Sequence, residues 1–521
     1  MPPPSVASRL ARATLARALD RYHRRAADIR KNEGNAAVPW GSEQPEAAVI
    51  EVLPKASLAN ADFGSPPGTL APMPLSELPP PMGTSPDAIP GQEPPLVRVP
   101  PPGPMSRSWA QRLARVECSV VFQADSPADP IVYASALGSN VVDVDGNRFV
   151  DMAVGFGALL LGHNATRPSR SLEMQAQRMW TGLGDVYPAD AKVAMVERVA
   201  SLYPKGAARA LLCQSGSDAV TAAIKTAVLH TGRPGILAFD GAYHGMGYAA
   251  LAACGYRESF RSPFARQLNP SVRFAPYPHA DADLDQALHA VREHLATREI
   301  AAVLVEPVLG RGGCVDPPPQ FLPELLRLAH EAGTLLIADE IWTGLGRAGA
   351  LLASSRVGVV PDLVCLGKGL GGGLPISACL GSDHVMNAWK RNPGVVHTST
   401  FQGNALACST GVATIDSVRA QKLDERAARV GQAFQTWLRT SLGPLPSVKA
   451  ITGAGLMVGV ALDSATTAAA VTLALLQRGY IVVTGGRDGH VLTLTPPLTM
   501  HEDLLEGFVD CLADVLGNLR P

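Results

Sequence analysis

The chain has 521 residues, with 45 basic and 46 acidic side chains and a formal net charge of -1 at pH 7. This length predicts roughly two to four domains, and so balanced a charge gives no reason to expect nucleic acid or a membrane surface as a partner. No apolar stretch reaches the ~18 residues of a membrane span, and the N-terminus lacks the apolar core of a secretory signal. We therefore expect neither a membrane span nor a secretory signal.

The cysteines indicate the compartment. The chain has 8 of them, they form no CxxC pair, and several lie within apolar runs. This usage is typical of small buried hydrophobic residues in a reducing compartment. We expect a cytoplasmic protein and predict no metal site.

The first hundred residues differ in composition from the rest. Residues 8–31 are Arg-rich and carry apolar residues at helical spacing, which predicts a short amphipathic helix with a basic face. Such a helix would also suit a mitochondrial transit peptide, although Asp20 and Asp28 count against that interpretation. Residues 61–105 contain 15 prolines in 45 residues, a composition typical of a linker or a disordered arm. We expect folding and chemistry not to require residues 1–105.

From Ser106 onward, strand-like apolar runs alternate with helical patterns, as in βαβ units. The first strands form a hairpin whose turn is Asp145-Gly146. The later runs each end in polar residues, which predicts a doubly wound α/β sheet whose carboxyl edge is one continuous site. These runs cover residues 211–220, 235–245, 300–308, 335–341 and 363–366.

A lysine follows the last of these runs, in the Gly-rich stretch DLVCLGKGLGGGLP. Lys368 should emerge at the carboxyl end of a buried parallel strand, where open α/β sheets bind ligands. The chain has nine lysines and 36 arginines, and of the two only a lysine readily loses its proton and attacks a carbonyl. Lys368 is therefore predicted to form a Schiff base. The alternative is a lysine in a Gly-rich turn that binds an anion or nothing.

Two other strand ends carry groups that suit a phosphate and a flat ring. Residues 215–217, Ser-Gly-Ser, precede a helical pattern, so backbone N–H groups and hydroxyls lie at a helix N-terminus and predict an anion cradle, most simply for phosphate. An ordinary capped helix is the alternative. Tyr243, next to His244 and Gly245, suits stacking on a flat ring. The alternative is that Tyr243 is a buried side chain that packs against the sheet.

Asp339 closes the strand LLIAD, and a carboxylate at the end of so apolar a run needs a partner. A protonated ring nitrogen is the simplest one. With Lys368, the phosphate cradle and the aromatic ring, this makes the four features that pyridoxal phosphate (PLP) requires: covalent attachment, phosphate anchorage, ring packing and a protonated pyridine nitrogen. The sequence therefore predicts PLP as the cofactor.

These residues lie in motifs that resemble those of the class III PLP-dependent aminotransferases, the group that includes ornithine, acetylornithine and 4-aminobutyrate aminotransferases. The resemblance runs from Ser106 to the C-terminus. It implies the α/β fold-type I architecture, with a large PLP-binding domain at 171–395 and a smaller α+β domain built from 106–170 and 396–521. The matching motifs are VVDVDGNRFVDM, LLLGH, SGSDAV, FDGAYHG, LVEPVLGRGG, ADEIWTGLGRAG, LGKGLGGGLP and HTSTFQGNALAC.

The resemblance also implies roles for single residues. Lys368 would form the Schiff base, Asp339 would hold the pyridine nitrogen, and Glu306 would lie beside the ring, where it can pair with a substrate-binding arginine. A homodimer is implied as well. The cofactor-binding residues would further include Ser215, Gly216, Ser217, Tyr243, His244 and Thr400, the last reaching the phosphate of the neighbouring subunit.

Three residues depart from the family pattern. Trp342 stands where many relatives have a glutamine that contacts the cofactor's phenolic oxygen, and Asp218 stands where a glutamate is common. Thr493, in HVLTLTPPLT, takes the place of an arginine that clamps the substrate α-carboxylate in relatives. Losing that charge-assisted contact removes about 1.5–3 kcal/mol. Either Arg311 or Arg347 supplies the clamp instead, or the substrate lacks a carboxylate there.

The predicted reaction moves an amino group from a small-molecule amine or amino acid to a carbonyl acceptor. Lys368, once released by the substrate amine, would move the proton that leaves the substrate carbon, while Asp339 stabilises the electron-rich ring. Racemases, aminomutases, decarboxylases and phospholyases use the same two residues and are the alternatives. The remaining alternative is a non-catalytic binding protein that recruits a partner through its N-terminal arm.

Overall fold

The computed structural model describes residues 90–118, 130–392 and 394–518, and the helix predicted within 8–31 lies outside this part of the chain. The strands there are β1 (Tyr133–Leu137), β2 (Asn140–Asp143), β3 (Arg148–Asp151), β4 (Ala208–Cys213), β5 (Gly235–Phe239), β6 (Val272–Ala275), β7 (Ile300–Val305), β8 (Leu335–Asp339), β9 (Leu363–Leu366), β10 (Ser377–Ser382), β11 (Val448–Ala454), β12 (Met457–Leu462), β13 (Tyr480–Ile481), β14 (Val483–Gly485) and β15 (Val491–Leu494).

The longer helices of the described part are α1 (Pro104–Ala114), α2 (Thr166–Arg178), α3 (Asp190–Ala200), α4 (Gly216–Thr231), α5 (Asp281–Ala296), α6 (Phe321–Glu331), α7 (Ala405–Ala420), α8 (Leu423–Leu442), α9 (Ala465–Gln477) and α10 (Glu502–Asn518). Shorter helical turns lie at Val154–Gly157, Tyr248–Ala252, Glu258–Arg261, Asp383–Met386 and Ala388–Arg391. None of the described helices is long and apolar enough to cross a membrane.

The largest sheet has seven strands in the order β4-β10-β9-β8-β7-β5-β6. Its pairs are parallel, except that β10 runs antiparallel to both of its neighbours. The order doubles back along the chain, as in a doubly wound α/β sheet. The predicted fold class is therefore confirmed.

Helices cover both faces of this sheet, and the sequence of β7 shows why. Side chains alternate between the two faces of a strand. Val303 and Val305 pack in a cluster with Leu288 and Leu325 of α5 and α6, whereas Leu304 on the opposite face packs with residues of α4. All six residues of β7 are buried, which is why the strand is an unbroken apolar run.

Two four-stranded sheets flank the large one along the chain, β1-β2-β3-β13 and β11-β12-β15-β14. The predicted hairpin is confirmed: β2 and β3 pair antiparallel, with Val141 opposite Phe149, around a turn in which Gly146 has a φ of 81°. β13 pairs in parallel with β3, so segments from both ends of the described chain share one sheet. The exact domain boundaries stay a prediction.

The segment just before Ser106 packs against the first hairpin, although the sequence places it in the arm. Leu96 forms antiparallel backbone hydrogen bonds with Arg148, at 2.8 and 2.9 Å. Asn140, fully buried, accepts from Glu93 N at 2.9 Å and donates to Glu93 O at 2.8 Å. The folded part therefore extends upstream of residue 106.

Candidate active site

Four neighbouring parallel strands bring polar side chains to one edge of the large sheet. β9, β8, β7 and β5 lie side by side in that order, so their carboxyl ends meet at the same edge. Asp339 ends β8, Glu306 directly follows β7, and Lys368 lies two residues beyond β9. Tyr243 and His244 follow β5 after a short turn. The fold thus brings together five of the predicted site residues.

Lys368 is positioned by a strained turn. Its φ is 42°, a backbone conformation that non-glycine residues rarely adopt. Its Nζ lies 4.0 Å from the centre of the Trp342 ring. Burial lowers the pKa of Lys368 to about 8; the charges of Glu306 and Asp339 oppose this decrease, and that of Arg311 adds to it. A larger share of the amine is therefore unprotonated and nucleophilic near neutral pH than in an exposed lysine.

A buried aspartate and histidine form a pair at this edge. Asp339 Oδ2 and His244 Nδ1 are 2.7 Å apart, and Ile341 N donates to Asp339 Oδ1 at 3.1 Å. The two side chains are only 4% and 2% exposed. With Nδ1 as the donor, His244 fixes the orientation of the carboxylate. His244 Nε2 has no hydrogen-bond partner among the described residues.

Glu306 is held by two backbone N–H groups. Its Oε1 accepts from Tyr243 N at 2.7 Å and its Oε2 accepts from Gly310 N at 3.0 Å. Burial raises the pKa of Glu306 to about 7, with His244 opposing the rise. The carboxyl group therefore fixes the turn that carries Tyr243. A role toward substrate stays a prediction.

The predicted phosphate cradle lies at the start of α4. Ser215 caps this helix, accepting from Asp218 N at 3.2 Å, and Ser217 Oγ accepts from Gly247 N at 2.9 Å. A Cβ added to Gly245 would lie 2.7 Å from the Ser217 Cβ, so the loop after β5 packs directly on the helix N-terminus. The first N–H groups of a helix have no partner within it, and they attract anions.

Tyr243 and Thr400 differ in exposure. The Tyr243 ring is partly buried, lies edge-on to Tyr256 with 6.2 Å between ring centres, and has the Arg311 guanidinium 5.0 Å from its centre. Thr400 is exposed on the single chain. Its contact with a neighbouring subunit stays a prediction.

Of the three residues that depart from the family pattern, two are buried and Asp218 is partly exposed. Trp342 is 8% exposed, meets Phe156 edge-on, and its Nε1 has no hydrogen-bond partner in the described chain. Thr493 is 2% exposed and pairs with Gly459 and Val483 on the two adjacent strands. Asp218 pairs with His397 Nε2 at 3.1 Å.

One contact residue was not predicted from the sequence. Ile341 donates its N–H to Asp339, and its side chain fills the space between the α4 start and the Lys368 turn: a Cβ on Gly216 or Gly367 would lie 2.9 or 3.2 Å from it. Strand alternation continued past Asp339 places residue 341 on the same face, which is the signal that could have identified it.

The residues fit PLP. The edge offers a lysine with a lowered pKa, a buried carboxylate, a helix N-terminus with two hydroxyls, and a partly buried aromatic ring. A buried histidine nitrogen and a buried indole N–H lack partners among the described atoms, as expected of groups that meet a ligand.

Comparison with known proteins decides the family. A family model described as "Aminotransferase class-III" matches residues 121–516. The chain belongs to this family. Class III aminotransferases depend on PLP, so the chain is an enzyme that transfers amino groups with that cofactor. The predicted family, reaction and cofactor are confirmed.

Class III relatives resemble most of the chain. The acetylornithine aminotransferase of Methanothermobacter thermautotrophicus is 34% identical over 390 residues, covering 75% of this chain and 95% of the relative. The 4-aminobutyrate aminotransferase of Mycobacterium tuberculosis is 33% identical over 445 residues, covering 80% and 97%.

Solved structures of transaminases share the fold. The ornithine aminotransferase of Toxoplasma gondii superposes with a TM-score of 0.71 at 28% identity, over 79% of this chain and 94% of that one. A PLP-bound amine transaminase from an uncultivated Pseudomonas species gives 0.70 at 27% identity, over 77% and 97%.

Proposed function

We propose that Lys368 holds PLP as a Schiff base and that the enzyme exchanges an amino group between a small-molecule amine or amino acid and a carbonyl acceptor at this lysine. The observation that carries the proposal is the convergence of Lys368, with its lowered pKa, and the buried Asp339–His244 pair on one sheet edge. When bound, PLP supplies an aldehyde that condenses with amines and a ring that accepts electrons.

Each residue has a task that its geometry supports. Lys368 Nζ, unprotonated, can take the proton that leaves the substrate carbon. Asp339 would hold the ring N–H, and His244 orients that carboxylate through its contact at 2.7 Å. Ser217 and the first N–H groups of α4 would bind the phosphate, and Tyr243 would pack on the ring.

The names of the relatives support an amino acid as the donor. They include acetylornithine aminotransferase, 4-aminobutyrate aminotransferase and diaminobutyrate–2-oxoglutarate aminotransferase. A donor with a carboxylate and an amine, and an oxo acid as acceptor, would fit these names. Thr493 replaces the arginine expected to bind one such carboxylate, so this chain needs another cation for that purpose.

Borohydride reduction tests the lysine assignment. Reduction of the PLP-bound enzyme followed by peptide mass analysis should place the label on Lys368, and Lys368→Ala should take no covalent label. Lys205→Ala, which removes an exposed lysine, is the matched control and should label normally. A label on any other lysine of the wild type contradicts the assignment.

A half-reaction separates transamination from the other PLP chemistries. Mixing the enzyme with an amine donor and no acceptor should convert the bound PLP stoichiometrically to pyridoxamine phosphate. A racemase, an aminomutase, a decarboxylase or a phospholyase returns PLP unchanged at the end of each turnover. Turnover of a donor without build-up of pyridoxamine phosphate would favour one of these reactions.

We propose that the enzyme acts as a homodimer, because an apolar surface surrounds Thr400. We call it the interface patch and define it as the exposed apolar residues of 179–187 and 395–401. Asn404 Nδ2 donates to Trp180 O at 3.0 Å, and Thr398 bonds Asp185, so the two segments lie together. Its members are Met179, Trp180, Leu183, Val186, Tyr187, Val395, Val396 and Phe401.

Large contiguous apolar surfaces of this kind mark association sites. A Trp180→Ser, Tyr187→Ser double variant should sediment as a monomer and bind PLP more weakly than the wild type. Leu113→Ser, which changes an exposed leucine of α1, is the control and should leave both properties unchanged. A wild type that sediments as a monomer when PLP is bound would contradict the dimer.

We also propose a cytoplasmic location. All eight cysteines are free and six of them are buried. Free thiols in such number are typical of a reducing compartment. Fractionation of the cells that produce the protein tests this directly, and recovery of the chain with mitochondria would favour a transit peptide instead.

A further inference from the structure

Two arginines could recognise an anion in place of Thr493, and their surroundings differ. Arg347 has no exposed surface. Its Nη1 donates to Leu456 O at 2.9 Å and to Pro496 O at 2.5 Å. Its Nε and Nη2 have no hydrogen-bond partner among the described residues, but the side chain is closed off from solvent. Arg347 is therefore unsuited to bind a substrate that enters and leaves at each turnover.

Arg311 is partly exposed, and its guanidinium lies against aromatic rings. The carbon at its centre is 5.0 Å from the centre of the Tyr243 ring and 5.4 Å from that of Tyr256. The two rings are perpendicular, at 89°, so the guanidinium can stack on one of them at most, and it also forms a side-chain hydrogen bond with Tyr243. A guanidinium carries five N–H donors, and those not used by Tyr243 are left for an anion. No carboxylate of the described residues forms an ion pair with Arg311.

Arg311 also lies on the side of the site where the chemistry takes place. Its guanidinium lies 5.0 Å from the centre of the Tyr243 ring, and the backbone N–H of Tyr243 donates to Glu306 at 2.7 Å. Its charge also lowers the pKa of Lys368. Its backbone oxygen accepts from Gly486 N at 2.9 Å. A Cβ on Gly485 would lie 2.5 Å from Thr493 Oγ1 and 3.3 Å from Arg311 O. The backbone of Arg311 therefore lies within a few ångströms of the Thr493 side chain.

The other charged groups nearby are already engaged. Glu306 accepts from two backbone N–H groups, and Asp339 is paired with His244. Each of these carboxylates interacts with Lys368 through space, but neither makes a hydrogen bond to Arg311. A partly buried arginine that has no carboxylate partner is stabilised when an anion binds to it.

From this geometry we infer that Arg311 binds a carboxylate of the amine substrate, so that the enzyme selects amines that carry a carboxylate over neutral or cationic amines of the same length. The inference rests on the proposed function, since it concerns the donor that reacts at Lys368. One charge-assisted contact favours the carboxylate by about tenfold to a hundredfold.

The test compares each carboxylate donor with its amide. Aliphatic ω-amino acids of three to six carbons and their ω-amino amides would be mixed singly with the PLP-bound enzyme, and the rate of pyridoxamine phosphate formation measured in a single turnover. The quantity compared is the maximal rate divided by the donor concentration that gives half of it. In the wild type this ratio should be about tenfold to a hundredfold higher for the best acid than for its amide. Arg311→Met should abolish the preference, Arg311→Lys should retain part of it, and Arg311→Glu should reverse it.

Arg257 provides the matched control. It stacks on the same Tyr256 ring at 5.2 Å but donates to Arg487 O at 2.8 Å. Arg257→Met removes an equivalent side chain and should leave the preference unchanged. A wild type that uses acid and amide equally, or an Arg311→Met variant that keeps the wild-type preference, would overturn the inference.

A binding measurement makes the inference independent of turnover. Calorimetry with pentanoate and pentanamide should show tighter binding of pentanoate to the wild type, and equal binding of the two to Arg311→Met. If no amine yields pyridoxamine phosphate, the proposed function fails. The pentanoate measurement then still tests the role of Arg311 independently. If amines react and pentanoate binding does not depend on residue 311, only the inference about Arg311 fails.

Discussion

In the proposed attachment, the pKa of Lys368 would set the pH at which the enzyme takes up its cofactor. Only the unprotonated amine attacks the PLP aldehyde, and burial has lowered the pKa of this amine to about 8. The second-order rate of PLP incorporation into the apoenzyme should therefore rise with pH and level off above about 8, rather than above the ~10.4 of an exposed lysine. Absorbance in the visible band of the bound cofactor follows the reaction.

The same measurement has an internal control. The charge of Arg311 lowers the pKa of Lys368. Arg311→Met should therefore move the midpoint of the pH dependence of PLP incorporation to higher pH, whereas Arg257→Met should leave that midpoint unchanged. A wild-type midpoint near the value of free lysine would show that Lys368 is not desolvated in solution.

Asp339 should matter for proton transfer and little for attachment. Its carboxylate is fixed by His244 and by Ile341 N, at 2.7 and 3.1 Å. Asp339→Asn keeps the size of the side chain but removes the charge that keeps a ring nitrogen protonated. We expect the visible band to form, with the half-reaction slowed by about a hundredfold or more. Rapid mixing with a donor measures this, and near-normal rates would contradict the role given to Asp339.

The sequence predicted the positions of these residues better than their contacts. Lys368 and Asp339 end apolar runs, so strand geometry alone places them at the sheet edge. The resemblance implied that Glu306 can pair with a substrate-binding arginine, which stays a prediction, and the structure adds that its two oxygens accept from Tyr243 N and Gly310 N. The donors are backbone N–H groups, and residue types do not show which backbone N–H groups will meet a given side chain. This is why the sequence could not show these contacts.

The loop after β5 and the N-terminus of α4 act as one unit. Gly247 N donates to Ser217 Oγ at 2.9 Å. Gly245 has a φ of 113°, and its Cα lies against Ser217 so closely that an added Cβ would be 2.7 Å from the serine Cβ. The loop that carries Tyr243 therefore also shapes the predicted phosphate cradle.

Gly245→Ala should uncouple this unit. The variant carries both a collision with Ser217 and a strained φ, a combination that costs roughly 2–4 kcal/mol. We expect PLP affinity to fall by at least about tenfold, measured by titration of the apoenzyme. Gly206→Ala is the control, because Gly206 also has a positive φ, 67°, but nothing lies within 4 Å of an added Cβ. Equal affinities in the two variants would refute the coupling.

Among the elements, those with a continuous apolar run were predictable and β10 was not. β7, β8 and β9 are buried over their whole length, and each appears in the sequence as such a run. β10, SACLGS, mixes small and polar residues, and it enters the sheet antiparallel between β4 and β9. One of its two neighbours, β4, lies more than a hundred residues away along the chain, and local pattern does not contain such a pairing.

At the scale of the whole molecule, the folded enzyme begins earlier than composition indicates. Prolines dominate residues 61–105, but the described part from residue 90 onward pairs with the first hairpin and with the C-terminal region. Arg98 N and Val99 N donate to Asn147 Oδ1 at 2.8 and 2.9 Å, and Gln92 Oε1 accepts from His501 N at 2.9 Å. A proline-rich segment can still supply an edge of a sheet where its remaining N–H groups meet acceptors.

Two truncations should therefore behave differently. A chain that starts at Pro90 keeps every contact just described and should match the full-length enzyme in thermal midpoint and half-reaction rate. A chain that starts at Ser106 loses the Leu96–Arg148 pairing and strips buried Asn140 of both bonds to Glu93, and leaving such groups unpaired costs about 1–3 kcal/mol each. We expect a clearly lower midpoint. Asn140→Ala in the full-length chain should reproduce part of the loss, and equal midpoints for the two truncations would show that residues 90–105 contribute nothing to the fold.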